Sequence, residues 1–247
     1  MPTGDGVRGS RLRIVIGSPA FFVQIDRQMG TVVHLPTSTI FCKHILLPDS
    51  PPLMPLDAEI QRLEAMSKQG ESYSNTEGRY GWRNPIRADT GPLLTALVLA
   101  HAPARILEVG TAHGLSALHL AKGLTALERQ HIDTIEFHEE VAVGSQERFD
   151  ALDLPIRVWS GEAMEVIEAR LEATYDLVFL DAQKSHYGQQ FRALLERGMI
   201  GSGTVILADN VIDREVECTE LFQALEAAGV PYHVVPTECG LLVARIP

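Results

Sequence analysis

The sequence predicts an α/β fold, a doubly wound sheet of seven mostly parallel strands with helices on both faces. The main sign is alternation. Apolar runs at residues 105–109, 131–137, 156–159, 175–180, 204–208, 232–235 and 241–246 are separated for the most part by helix-like segments, among them 114–124 and 139–152, and this order belongs to a sheet covered on both sides. The size agrees: 247 residues, 45% hydrophobic and 21% charged, are enough for one sizeable core. Glycines and acids also follow directly on several of the apolar runs, and in open α/β sheets ligands bind beyond the carboxyl ends of the strands.

Composition narrows the function. With 21 Lys and Arg against 32 Asp and Glu, the formal charge of −11 opposes general attraction to nucleic acid or anionic lipid. Cys42, Cys218 and Cys239 form neither a C-x-x-C pair nor a metal spacing, so a reducing cytoplasm without a disulfide framework is expected. The apolar stretch at 93–100 is far shorter than the roughly 20 residues of a bilayer span. No histidine pair has metalloprotease spacing and no G-x-S-x-G is present.

The first 53 residues read as an extension outside the main fold. Five basic residues (Arg8, Arg11, Arg13, Arg27, Lys43) face three acidic ones there, the apolar runs are short, and Pro48, Pro51, Pro52 and Pro55 close the stretch. Asp5 and the interrupted apolar run count against a targeting peptide. A native start at Met54 is a further expectation, since Pro55-Leu56-Asp57 opens a helix-like stretch. Residues 54–247 are then one domain, with helices and a cap region over 54–103 and the sheet core over 104–247. Ile60, Leu63 and Met66 recur at helical spacing, a loop follows over 67–84, and a second helix runs from about 90 to 101. Arg79, Arg83 and Arg87 lie in or at the end of that loop. Gly81 and Pro85 make a regular helix there a poor fit, which leaves an anion-binding rim as the functional alternative to a solvated face.

The candidate chemistry lies after the strands. Glu108-Val109-Gly110-Thr111-Ala112-His113-Gly114-Leu115-Ser116 ends the first run in a loop where two glycines permit a sharp turn and a helix start offers free N–H groups. It is neither G-x-G-x-x-G nor a P-loop. Glu136 ends the next run, 28 residues after Glu108, where a carboxylate can accept both hydroxyls of a ribose. Asp181 follows a buried run with Lys184 three residues on, and Asp209-Asn210 follow another. Asp181, Asp209 and Asn210 are three hard oxygen donors suited to a Mg²⁺-like ion, and the absence of Cys and His among them disfavours zinc. Singly, each has a plain alternative: a turn for Asp209-Asn210 and a solvated cation for Lys184.

Together these segments resemble the metal-dependent catechol and caffeoyl-CoA O-methyltransferase family of class I S-adenosylmethionine-dependent methyltransferases. The resemblance covers about residues 84–246 and rests on E-x-G-x-x-x-G, Asp181-x-x-Lys184 and G-T-V-I-L-A-D-N-V-I at 203–212. It implies the Rossmann-like class I methyltransferase fold and S-adenosylmethionine as cofactor. Glu108, Gly110 and Ser116 would then face the methionine part, Glu136 the ribose and Ala163 the adenine, with Ile86 as a further contact. Asp181 would serve cofactor, metal and catalysis, Asp209 and Asn210 would complete a Mg²⁺ site, and Lys184 would be the general base. The expected acceptor is a small molecule with vicinal oxygens. A tRNA hydroxyuridine O-methyltransferase and a non-catalytic S-adenosylmethionine sensor are the alternatives, and a cytoplasmic homodimer is the expected state. Leu115 stands where the family has Tyr in G-Y-S, Ala182-Gln183 is more polar than the aromatic-containing pair of the animal catechol enzymes, and their carboxy-terminal acid has no clear counterpart. These departures bear on the acceptor.

Overall fold

A computed structural model describes residues 16–18, 21–25, 32–34, 55–69, 85–125 and 129–247. The chain divides into two units, Met1–Pro51 and Pro52–Pro247. In the first, β1 (Ile16–Ser18), β2 (Phe21–Ile25) and β3 (Val32–His34) form an antiparallel sheet in that order. The described residues of the extension thus form regular structure.

The second unit opens with α1 (Pro55–Gln69) and α2 (Thr90–His101). Helix α1 runs past Met66, into the stretch expected to be loop. Arg79 and Arg83 lie outside the described residues. Helix α2 tolerates Pro92 because it falls in the first turn, where a backbone N–H is not needed. It ends at Ala102, in the left-handed conformation just before Pro103.

Beyond it come β4 (Arg105–Val109), α3 (Leu115–Lys122), β5 (His131–Glu136), α4 (Glu139–Ala151), β6 (Ile156–Ser160), α5 (Ala163–Ala169) and β7 (Leu177–Leu180). A short 3₁₀ turn at Lys184–His186 leads into α6 (Tyr187–Glu196), and β8 (Val205–Ala208), α7 (Thr219–Ala227), β9 (Tyr232–Val235) and β10 (Leu241–Arg245) complete the chain. The seven strands lie in the order β6-β5-β4-β7-β8-β10-β9. The first five are parallel, and β10 is antiparallel to both of its neighbours. This is the Rossmann-like α/β fold that the alternation predicts.

Side chains alternate across the pleat, so each strand feeds two cores. Leu107 and Val109 join Tyr187, Phe191 and Leu221 on one face, whereas Ile106 joins Leu94, Val98, Leu118 and Phe149 on the other. Ile60 and Leu63 of α1 belong to the second core. Among the described residues no helix is long and apolar enough to cross a membrane.

Candidate active site

The carboxyl ends of β4, β5, β6 and β7 surround a cavity of about 550 Å³. After β4 the chain turns through Gly110 at φ +107°, and a Cβ there would lie 2.7 Å from the Asp181 carbonyl oxygen, so only glycine fits between the ends of β4 and β7. Gly110 and Thr111 donate their backbone N–H groups to the Ile135 carbonyl at 3.0 and 3.1 Å, which ties the loop to β5 as well. Gly114, at φ +82°, packs against the Phe149 ring and starts α3. The loop backbone thereby lies against the cavity, with the amino end of α3 behind it.

Of the residues predicted to bind a cofactor, Ile86, Gly110, Ser116, Glu136, Ala163 and Asp181 line this cavity. The Glu136 carboxylate is buried and accepts from the Ala112 N–H at 2.9 Å and the His138 N–H at 3.0 Å. A carboxylate is the acceptor type that sugar hydroxyls require. Glu108 is placed differently, fully buried beneath the loop. The Thr134 hydroxyl donates to it at 2.5 Å and in turn accepts from Thr111 at 2.6 Å. Burial pushes the Glu108 carboxyl up to about 8, against the lowering effect of the Ser116 and Thr134 hydroxyls. Its Oε1 is buried without a hydrogen-bond partner, near Ser116 on the cavity wall.

Five residues, Pro85, Asp181, Ala182, Gln183 and Lys184, also line a second cavity of about 280 Å³, whose far wall includes Asp209 and Asn210. Asp181 and Asp209 come together because β7 and β8 are parallel neighbours, with the Asp209 N–H donating to the Leu180 carbonyl at 3.1 Å. Asn210 adopts the left-handed conformation at φ +66°, which asparagine tolerates well. Lys184 Nζ donates to Asp181 Oδ1 at 2.9 Å. Burial raises the Asp181 carboxyl above its ordinary value while the Lys184 charge opposes the shift. Burial, followed by repulsion from Asp181, pushes Asp209 up to about 7.

Asp209 Oδ1 is buried without a hydrogen-bond partner. Two carboxylates that repel each other, Asp181 largely shielded and Asp209 buried with an unmatched oxygen, together with an adjacent amide form a donor set that fits a hard divalent cation. Among the described residues no group of three or more His, Cys, Asp or Glu gathers as a metal site, and the set here is two carboxylates and one amide. Arg87 reaches the smaller cavity with Nε 3.4 Å from Cys239 Sγ and 3.5 Å from Glu238. Leu63 and Gln190 line the larger cavity without having been singled out in the sequence. Leu63 reads there as ordinary helical core, and Gln190 carries no local signal because only the packing of α6 places it.

A doubly wound sheet with a glycine loop, a strand-end acid and an acidic pair beyond neighbouring strands defines an α/β protein with a nucleotide-sized site at the carboxyl ends of its strands. The model of the O-methyltransferase family matches residues 70–220, more than half of the chain. The chain belongs to this family of S-adenosylmethionine-dependent enzymes. It is 31% identical over 137 residues to catechol O-methyltransferase B of Danio rerio, covering 53% of this chain and 51% of that protein. It is 34% identical over 136 residues to the catechol O-methyltransferase of Mycobacterium tuberculosis, covering 53% and 58%. The chain spans about half the length of the curated relatives it matches first. In three dimensions it resembles the O-methyltransferase from Bacillus cereus in complex with S-adenosylhomocysteine, with a TM-score of 0.62, 21% identity, and coverage of 82% of this chain and 94% of that one. This last likeness is one of fold.

Proposed function

We propose that this protein transfers the methyl group of S-adenosylmethionine to one of two vicinal oxygens of a small, catechol-like acceptor. The observation that carries the reading is the shared wall. A cavity of cofactor size opens beside a smaller one, and Asp181 and Lys184 belong to both. A sulfonium methyl in the larger cavity and an acceptor oxygen in the smaller one would meet at that wall.

The roles follow from position. Glu136 receives the ribose hydroxyls, and the glycine loop and Ser116 hold the methionine part. A divalent cation held by Asp181, Asp209 and Asn210 would supply positive charge that favours ionisation of the acceptor hydroxyl. Lys184 Nζ, as the amine, takes the hydroxyl proton, and the adjacent Asp181 carboxylate stabilises the resulting ammonium. Alignment of oxygen and methyl removes entropy from the barrier, an effect worth about 7–11 kcal/mol where geometry is ideal.

The test is transfer of labelled methyl from S-adenosylmethionine to 3,4-dihydroxybenzoate, with Mg²⁺ and then with excess chelator. Transfer that the chelator abolishes is the expected result, and Lys184→Ala should cut turnover by about 10²- to 10⁴-fold while S-adenosylhomocysteine still binds. Wild-type turnover in that variant overturns the base assignment, and transfer insensitive to chelator overturns the metal.

A further inference from the structure

Gln190 lies in the second turn of α6, next to the core residue Phe191. Its side chain is 1% exposed and lines the 550 Å³ cavity, and its Oε1 has no hydrogen-bond partner. An unmatched buried amide oxygen is destabilising, a penalty that a leucine at this place would not carry. Because the residue lines the cavity, rotation of its amide presents the oxygen to a donor bound there.

The order of the strands indicates which part of the cofactor that donor belongs to. From β8 toward β6 the strand ends present Asp209, then Asp181, the glycine loop, Glu136, and finally Gly161 to Ala163. With the reacting methyl at Asp181 and Lys184 and the ribose at Glu136, the base lies farther out, toward the start of α5. Gly161 and Ala163 offer no polar side chain there, and the Glu162 carboxylate is occupied in capping α5 through the Glu165 N–H at 3.0 Å. Helix α5 packs against α6, and Gln190 lines the larger cavity without being among the residues that line the smaller one beside Asp209 and Asn210.

An amide is the natural complement of the amino edge of adenine. The exocyclic N–H donates to the amide oxygen while the amide N–H₂ donates to the neighbouring ring nitrogen. We propose that Gln190 reads the six-amino edge of the adenine of S-adenosylmethionine, and so selects an adenine nucleoside over other purines. The inference rests on the cofactor reading above.

Calorimetric titration of wild type, Gln190→Leu and Gln190→Met with S-adenosylhomocysteine and with its analogue lacking the six-amino group tests it. The wild type should prefer the adenine compound by about tenfold to hundredfold, and both variants should bind the two compounds within about threefold of each other. Methionine is unbranched like glutamine and serves if the leucine variant does not fold. Variants that lose affinity for both compounds equally, and so keep the wild-type ratio, overturn the proposal. So does a wild type that binds both alike. A wild type that binds neither compound overturns the cofactor reading itself.

Discussion

Glu108 shows how a single residue can be visible in sequence and yet have its role decided by burial. It ends an apolar run just before the glycine loop, which is enough to single it out. Whether its carboxyl faces ligand or protein depends on how the loop folds back, and in the structure it is buried beside Thr134 and Ser116 with one oxygen unmatched. Its folded pKa of about 8 stands above its ordinary value of 4.5, so the folded chain holds the proton more tightly than the unfolded one. The contribution is therefore complete below the ordinary carboxyl range and is lost as pH rises toward 8. Glu108→Gln keeps an acceptor for Thr134 and removes the ionisation. The urea midpoint of this variant, relative to wild type, should rise between about pH 5 and about pH 9. A difference that stays flat across that range would show that Glu108 is ionised in the folded protein.

Helix α1 shows the same division among elements. Its helical spacing is plain in the sequence, yet nothing local says what it covers. In the structure Ile60 and Leu63 enter the core beside α3, and Leu63 reaches the larger cavity. Polar contacts surround them: Lys122 with Asp57 at 2.6 Å, and Arg148 with Glu59 at 2.8 Å, the same Arg148 donating to the His113 carbonyl at 2.9 Å. The hydrogen bond from Arg62, opposed by burial and helped by Arg148, holds Glu59 below the usual carboxylate range. The Asp57–Lys122 pair is partly exposed, and such pairs contribute about 0–1 kcal/mol, less than the burial of Leu63. Leu63→Ala should cost about 2–4 kcal/mol in urea denaturation and also weaken S-adenosylhomocysteine binding, whereas Lys122→Ala should change stability by less than about 1 kcal/mol. Equal losses from the two substitutions would show that the ion pair, rather than the buried leucine, holds the helix.

For the whole molecule, the charge of −11 bears on the acceptor. A small catechol has no phosphates to neutralise, so kcat/KM for it should change by less than about threefold between low and physiological salt, whereas an RNA acceptor gripped through several phosphates would lose roughly 10³-fold. A steep salt slope measured with the small acceptor would contradict this. At this scale the limits of legibility are also clearest. Strands of a covered parallel sheet are mostly apolar on both faces, so β7 and β8 stand out as continuous apolar runs and β4 to β6 as interrupted ones, followed by glycine or acid, and the fold class, the glycine loop and the acids Glu136, Asp181 and Asp209 could be read from them. Strand order leaves no such trace. The insertion of β10 between β8 and β9, the meeting of Asp181 with Asp209 around an unmatched oxygen, and the arrival of Gln190 and Leu63 at the cavity join residues far apart in the chain. The sequence by itself determined which elements form and which chemical groups stand at their ends, because local periodicity and turn chemistry act over a few residues. Only the tertiary structure decided which of those groups share a cavity and which are buried beneath it, because that depends on packing between elements, which no local pattern encodes.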